Sequence, residues 1–269
     1  MMIKQLFTAA GALALLASCS TTKTPVSTQN SAPGTTGNAQ SLVRITSDPV
    51  PEFYPRISPD GKRMVFHIRD DNKKNGVNEK WSIMMMNIGQ PGRIPLVGAY
   101  TISPSFFPDS KTVLYTYLKP SRPVIAKSMV DGASGINYIS PNAMGDYDNQ
   151  ASVSPDGKKI LFEALFGGTW QVAMMDANGM NSTILTEGRG PRWHPKGDRI
   201  VYQKQVGKYT QIFEYNLATG QSTQLTSGEY SNADPSYSND GNYIAYSSYS
   251  DNQNEHLFVM RADGSGVTQ

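Results

Sequence analysis

The chain has 269 residues, with 24 basic and 22 acidic residues and 38% hydrophobic content, the size of one large domain or two small ones. A net charge of +2 provides no electrostatic footprint for nucleic acid, and a single cysteine excludes an internal disulfide framework and any multi-thiolate metal site. The 24 glycines, 17 prolines and 14 tyrosines point to a turn-rich β protein rather than a helical one.

The first element in chain order is a targeting segment. Lys4 supplies a positive charge, and an apolar run follows from Leu6 to about Leu16. That run is too short to cross a bilayer, which takes ~20 residues, and it has the form of a secretory signal. At its end, Leu16-Ala17-Ser18-Cys19 resembles the lipobox of bacterial lipoproteins. The resemblance implies acylation of Cys19, removal of residues 1–18 and, with Ser20 rather than Asp next, sorting to the outer membrane facing the periplasm. Residues 20–40 are Ser, Thr, Pro, Gly, Asn and Gln with almost no large apolar group. Such a segment cannot bury enough surface to fold, so residues 19–41 are expected to be a lipidated tether.

From residue 42 onward one unit recurs five times. Its marker is a turn: Ser58-Pro59-Asp60-Gly61-Lys62, Phe107-Pro108-Asp109-Ser110-Lys111, Ser154-Pro155-Asp156-Gly157-Lys158, His194-Pro195-Lys196-Gly197-Asp198 and Ser238-Asn239-Asp240-Gly241-Asn242. Pro fixes φ, Asp bonds its own backbone, and Gly accepts positive φ. Each turn is preceded by a short first strand and followed by an apolar second strand, as in Met64-Val65-Phe66 and Ile160-Leu161-Phe162. A third strand (Trp81 to Met86, Trp170 to Met175), a second turn and a fourth strand (Ile94 to Val97, Thr183 to Thr186) complete the unit. Four short antiparallel strands per ~45 residues is the pattern of a propeller blade. The expected fold is all-β, a single propeller of five four-stranded blades over 42–269. The fifth unit stops short of its fourth strand, and Leu42-Val43-Arg44-Ile45-Thr46 is expected to complete it and close the ring, removing an open edge.

These units resemble the TolB-like propeller repeat, in its Ser-Pro-Asp-Gly-Lys-apolar-Phe pattern. That resemblance implies a propeller, usually periplasmic, that binds proteins; TolB itself contacts a peptidoglycan-associated lipoprotein. The chain departs from TolB in showing five units rather than six, in lacking a separate N-terminal α/β domain and in its lipobox, so the resemblance is to the family.

No catalytic motif is present: no Gly-x-Ser-x-Gly elbow, no His-Glu-x-x-His and no Gly-rich phosphate loop. His67, His194 and His256 fall in three units at three repeat positions, which does not suit a shared metal, and no cofactor is implied. Met84-Met85-Met86 and Met174-Met175 fall on third strands and are expected to fill gaps between blades. The insertion carrying Lys73 and Lys74 is expected to be a solvated loop. The candidate binding residues are those aligned on the first strands, which surround the axis: Glu52, Tyr54, Arg56, Asp148, Gln150, Arg189, Arg192, Asn232 and Asp234. Arg, Tyr and carboxylates at a channel mouth suit a docking surface for an envelope protein. The rival expectations are a glycan-binding or glycan-cleaving propeller using Glu52, Asp148 and Asp234, and a subunit of a large envelope machine.

Overall fold

The recurring turn is braced in the same way in units 1, 3 and 5. Ser58 Oγ donates to Asp60 at 2.6 Å, Asp60 accepts the Lys62 N–H at 3.1 Å, and Ser154 repeats the bond to Asp156 at 2.6 Å. The computed structural model describes residues 45–46, 50–70, 80–118, 122–132, 135–139, 146–249 and 255–269. Cys19, the tether and the Lys73–Lys74 insertion lie outside the described residues.

Around these turns the chain forms a five-bladed propeller. Blade 1 is β1 (Glu52–Ile57), β2 (Arg63–Asp70), β3 (Lys80–Asn87) and β4 (Ile94–Val97). Blade 2 is β5 (Thr101–Phe106), β6 (Thr112–Leu118), β7 (Pro123–Met129) and β8 (Asn137–Tyr138). Blade 3 is β9 (Tyr147–Val153), β10 (Lys159–Phe166), β11 (Thr169–Asp176) and β12 (Thr183–Glu187). Blade 4 is β13 (Arg189–Trp193), β14 (Arg199–Val206), β15 (Tyr209–Asn216) and β16 (Gln221–Gln224). Blade 5 is β17 (Ser231–Tyr237), β18 (Tyr243–Tyr249) and β19 (Glu255–Arg261). Each sheet is antiparallel in simple sequence order, and no helix occurs among the described residues.

The second and third strands are apolar on both faces, because each blade lies between two others. Val65, Ile83 and Met85 of blade 1 pack on Val113, Tyr115 and Ala126 of blade 2. Leu114 and Ile125 meet Ile160, Phe162 and Ala173; Leu161 and Val172 meet Ile200 and Tyr202; Val201 and Ile212 meet Ile244, Tyr246 and Met260. Each large side chain so buried stabilises the fold by about 1.5–3 kcal/mol. Met85 and Met175 join these clusters and fill space between blades, while Met84 and Met86 lie in the cluster on the other face of blade 1.

The joint between blades 5 and 1 is built differently. Met64, Phe66 and Met86, the face of blade 1 turned towards blade 5, cluster with Ile45 from the N-terminal segment. On blade 5, Leu257 is 43% exposed, whereas its counterparts Ile83, Ile125, Val172 and Ile212 are all at 0%. Of the expected closing strand 42–46 only Ile45 and Thr46 are described, and neither lies in a strand. Among the described residues Thr268 forms an isolated bridge to Val259 on blade 5, with backbone bonds of 2.8 Å in both directions.

Candidate functional site

Every first strand breaks its pairing with the second at one repeat position, a β-bulge: between Phe53 and Arg56, Ile102 and Ser105, Asn149 and Ser152, Arg189 and Arg192, and Ala233 and Ser236. The residue within each break has a left-handed backbone: Tyr54 (φ 52°), Ser103 (53°), Gln150 (50°), Gly190 (58°) and Asp234 (51°). Pro follows in four of the five, at Pro55, Pro104, Pro191 and Pro235. A proline has no N–H for the ladder and is accommodated at a bulge.

The previous blade secures most of these bulges with a polar residue on its second strand. His67 Nδ1 accepts the Ser103 N–H at 3.0 Å, Glu163 accepts that of Gly190 at 3.1 Å, and Gln203 accepts that of Asp234 at 2.6 Å. In blade 2 the same position is Thr116, which donates to the Asn149 side chain at 3.0 Å. In blade 5 it is Ser247, which donates to Ala233 within its own blade. His67 therefore works as a neutral acceptor: burial, reinforced by the Arg56 charge, brings its pKa down to about 3.

Bulging brings Tyr54, Arg56, Gln150 and Arg192 together around a small cavity of about 10 Å³ that is partly open to solvent. Arg192 Nη2 donates to Gln150 Oε1 at 3.2 Å, and Gln150 Nε2 donates to the Tyr54 hydroxyl at 3.4 Å. Burial, then the nearby Arg192, lowers the Arg56 guanidinium to about 9. Burial, then the Asp234 charge, raises the Tyr54 phenol to about 12. Asp234 is itself raised by burial, against the pull of Arg192 and Arg56.

The other candidates go elsewhere. Arg189 lies over the Trp170 ring at 4.1 Å and pairs with buried Glu163 at 3.2 Å, and Tyr147 meets the same ring edge-on at 5.9 Å. Asp148 is buried against Arg122 at 3.6 Å, Asn232 donates to Gln211 at 2.9 Å, and Glu52 takes Arg93 at 3.5 Å and the Thr46 hydroxyl. The three carboxylates of the glycan expectation thus have three separate sets of partners. The histidines are also separate: His194 packs edge-on to Tyr237, with ring centroids 4.8 Å apart, and His256 bonds Gln269 at 3.0 Å. Among the described residues no group of three His, Cys, Asp or Glu side chains is placed to hold a metal ion. Glu163 and Gln203 escaped sequence reasoning. Their signal was a polar residue directly after the aromatic of an otherwise apolar second strand, as in Phe162-Glu163 and Tyr202-Gln203.

Residues 36–190, more than half of the chain, match the TolB beta propeller domain. The chain belongs to the TolB beta propeller family. Among its relatives, an uncharacterised protein of Agrobacterium fabrum is 24% identical over 169 residues, which are 61% of this chain and 56% of that protein. The Tol-Pal system protein TolB of Francisella tularensis is 29% identical over 105 residues, 36% of this chain and 24% of that protein. Thus the chain spans about half the length of the first of these relatives and about a quarter of the second. The crystal structure of TolB from Acinetobacter baumannii superposes with a TM-score of 0.69 at 22% identity, covering 81% of this chain and 54% of that one. At that identity the likeness shows the fold alone.

Proposed function

We propose that this TolB-family propeller is a non-catalytic, lipid-anchored binding module of the bacterial cell envelope. In this reading Cys19 carries the lipid in the outer membrane, the tether holds the propeller on the periplasmic side, and a protein partner docks across the channel mouth. The observation that carries it is the make-up of one end of the ring. First strands begin there, and second strands turn back into third strands there. The exposed side chains of Tyr100 and Tyr230, just before first strands, and of Phe166 and Val206, the last residues of second strands, stand at that end, beside the Arg189–Trp170 stack. Aromatic groups and arginine are the residues that protein interfaces favour at their centres. A tether adds effective concentration towards envelope partners without new contacts. Since a relative is a Tol-Pal system protein, the first partner to test is a peptidoglycan-associated lipoprotein.

The experiment is capture of that lipoprotein from the same organism, with crosslinking in cells as a second arm. Phe166→Asp combined with Tyr230→Asp is expected to reduce capture at least tenfold, and Met180→Asp, on the opposite end, to leave it intact. Equal capture by both variants, or no repeatable protein partner in either arm, overturns docking at the mouth. The unmodified chain is expected to incorporate labelled palmitate in cells and Cys19→Ser to incorporate none; an unlabelled unmodified chain, or equal labelling of both, overturns the anchor.

A further inference from the structure

We propose that the channel binds a small oxyanion, a carboxylate or phosphate group, between Arg56 and Arg192. The two arginines share one repeat position, two residues past the bulge, in blades 1 and 4. The other three blades have serine there: Ser105, Ser152 and Ser236. Small residues of blades 2 and 3, namely Ser103, Pro104, Ala151 and Ser152, thus leave the cavity that the two guanidiniums flank. Its wall holds two cations and no carboxylate.

The donors there exceed the acceptors. A guanidinium has five N–H donors. Arg56 directs Nη1 to the Pro55 carbonyl at 2.9 Å, and Arg192 uses Nη1 on the Pro191 carbonyl at 2.8 Å and Nη2 on Gln150. The Ser103 and Ser152 hydroxyls, both lining the cavity, are buried and bond no protein atom. Asp234 is the carboxylate within electrostatic reach of both arginines, yet it stands outside the wall. Glu163 also acts on Arg192 from a distance, but it is engaged by Arg189 and Gly190. One nearby carboxylate against two guanidiniums leaves the cavity positive. The lowered proton affinity of Arg56 expresses the same repulsion and desolvation. An oxyanion would accept from both guanidiniums and from the two serines, in the charge-assisted geometry that arginine favours. This site does not depend on a protein docking at the mouth.

The test is a titration of the full chain with sodium phosphate and, separately, sodium acetate, at ionic strength held constant with sodium chloride, read by calorimetry and by thermal melting. The phosphate arm reports a free or esterified phosphate, and the acetate arm a carboxylate such as an acidic side chain presents. Saturable binding is expected in at least one arm. Arg192→Gln and Arg56→Gln are each expected to weaken it at least tenfold. Asp234→Asn is expected to tighten it several-fold, because asparagine keeps the left-handed backbone while the competing charge is lost. Damage to the fold would move all three variants in one direction. Should the arginine variants fail to fold, the Nε–H resonances of Arg56 and Arg192 in the unmodified chain are expected to shift on addition of the anion. No saturable binding in either arm, equal binding in Arg192→Gln, or unmoved arginine resonances would overturn the proposal.

Discussion

Glu163 ties two blades together through a single carboxylate. It is fully buried and accepts from Asn149 at 3.3 Å, from Arg189 and from the Gly190 N–H, so it links blades 3 and 4 at the axis. Glu163→Ala leaves a guanidinium and a backbone donor unsatisfied and is expected to cost about 3 kcal/mol in denaturant unfolding. Glu163→Gln, which keeps an acceptor, should cost clearly less. His67 adds a pH dependence of definite sign. Its folded pKa is about 3, below the ordinary value near 6.5, so the unfolded chain takes up a proton that the folded chain refuses. The stabilisation is complete above pH 6.5 and is lost as pH falls, by about 2 kcal/mol at pH 5. His67→Gln, which can still accept from Ser103, is expected to flatten stability between pH 6.5 and 5 in melts compared with the unmodified chain. Below pH 4 the turn carboxylates Asp60, Asp156 and Asp240, each held below its ordinary value by a serine hydroxyl, titrate as well.

Turns and bulges are the elements that repeat, and they were unequally legible. Pro-Asp-Gly between two apolar runs specifies its own conformation, so strand order and blade number followed from residues such as Ser154 to Lys158. The bulge does not specify itself in this way. Strict alternation places Asp148, Gln150 and Ser152 on one face. The extra residue near Gln150 breaks that alternation, sending Asp148 to Arg122 and leaving Gln150 and Ser152 at the channel. A left-handed residue followed by Pro, as in Tyr54-Pro55 and Asp234-Pro235, was the available sign. Adjacent turns also touch. A Cβ at Gly241 (φ +75°) would overlap the His194 imidazole, whereas one at Gly61 (φ +70°) meets nothing within 4 Å. Both Ala substitutions carry the left-handed penalty of about 1 kcal/mol. Gly241→Ala is expected to cost at least ~1 kcal/mol more than Gly61→Ala in urea midpoints. Equal costs would mean that the turns do not brace one another.

At the scale of the whole ring, four joints share one design and the fifth does not. Ile212→Ala is expected to destabilise by about 2–4 kcal/mol, and its counterpart Leu257→Ala by no more than about 0.5 kcal/mol. Ile45→Asp should cost about 1–2 kcal/mol by uncovering Met64, Phe66 and Met86. Denaturant curves on the three variants check this ordering. The apolar patterns of the second and third strands made the joints readable. What covers the last one was not readable, because Leu42 to Thr46 resembles a fourth strand while Thr268 also bridges to the third strand of blade 5.

The C-terminal bridge at Thr268 has a consequence for how such a protein changes over generations. Deleting blade 3 would orphan two mated surfaces, Leu114 with Ile125 and Ile200 with Tyr202. A repeat inserted between blades 5 and 1 would split none of the apolar clusters of the described residues and would find Leu257 and Val259 ready to receive it. Growth and loss of repeats are thus cheapest at the gap where first and last units meet, and relatives of different blade number would be expected to differ there first.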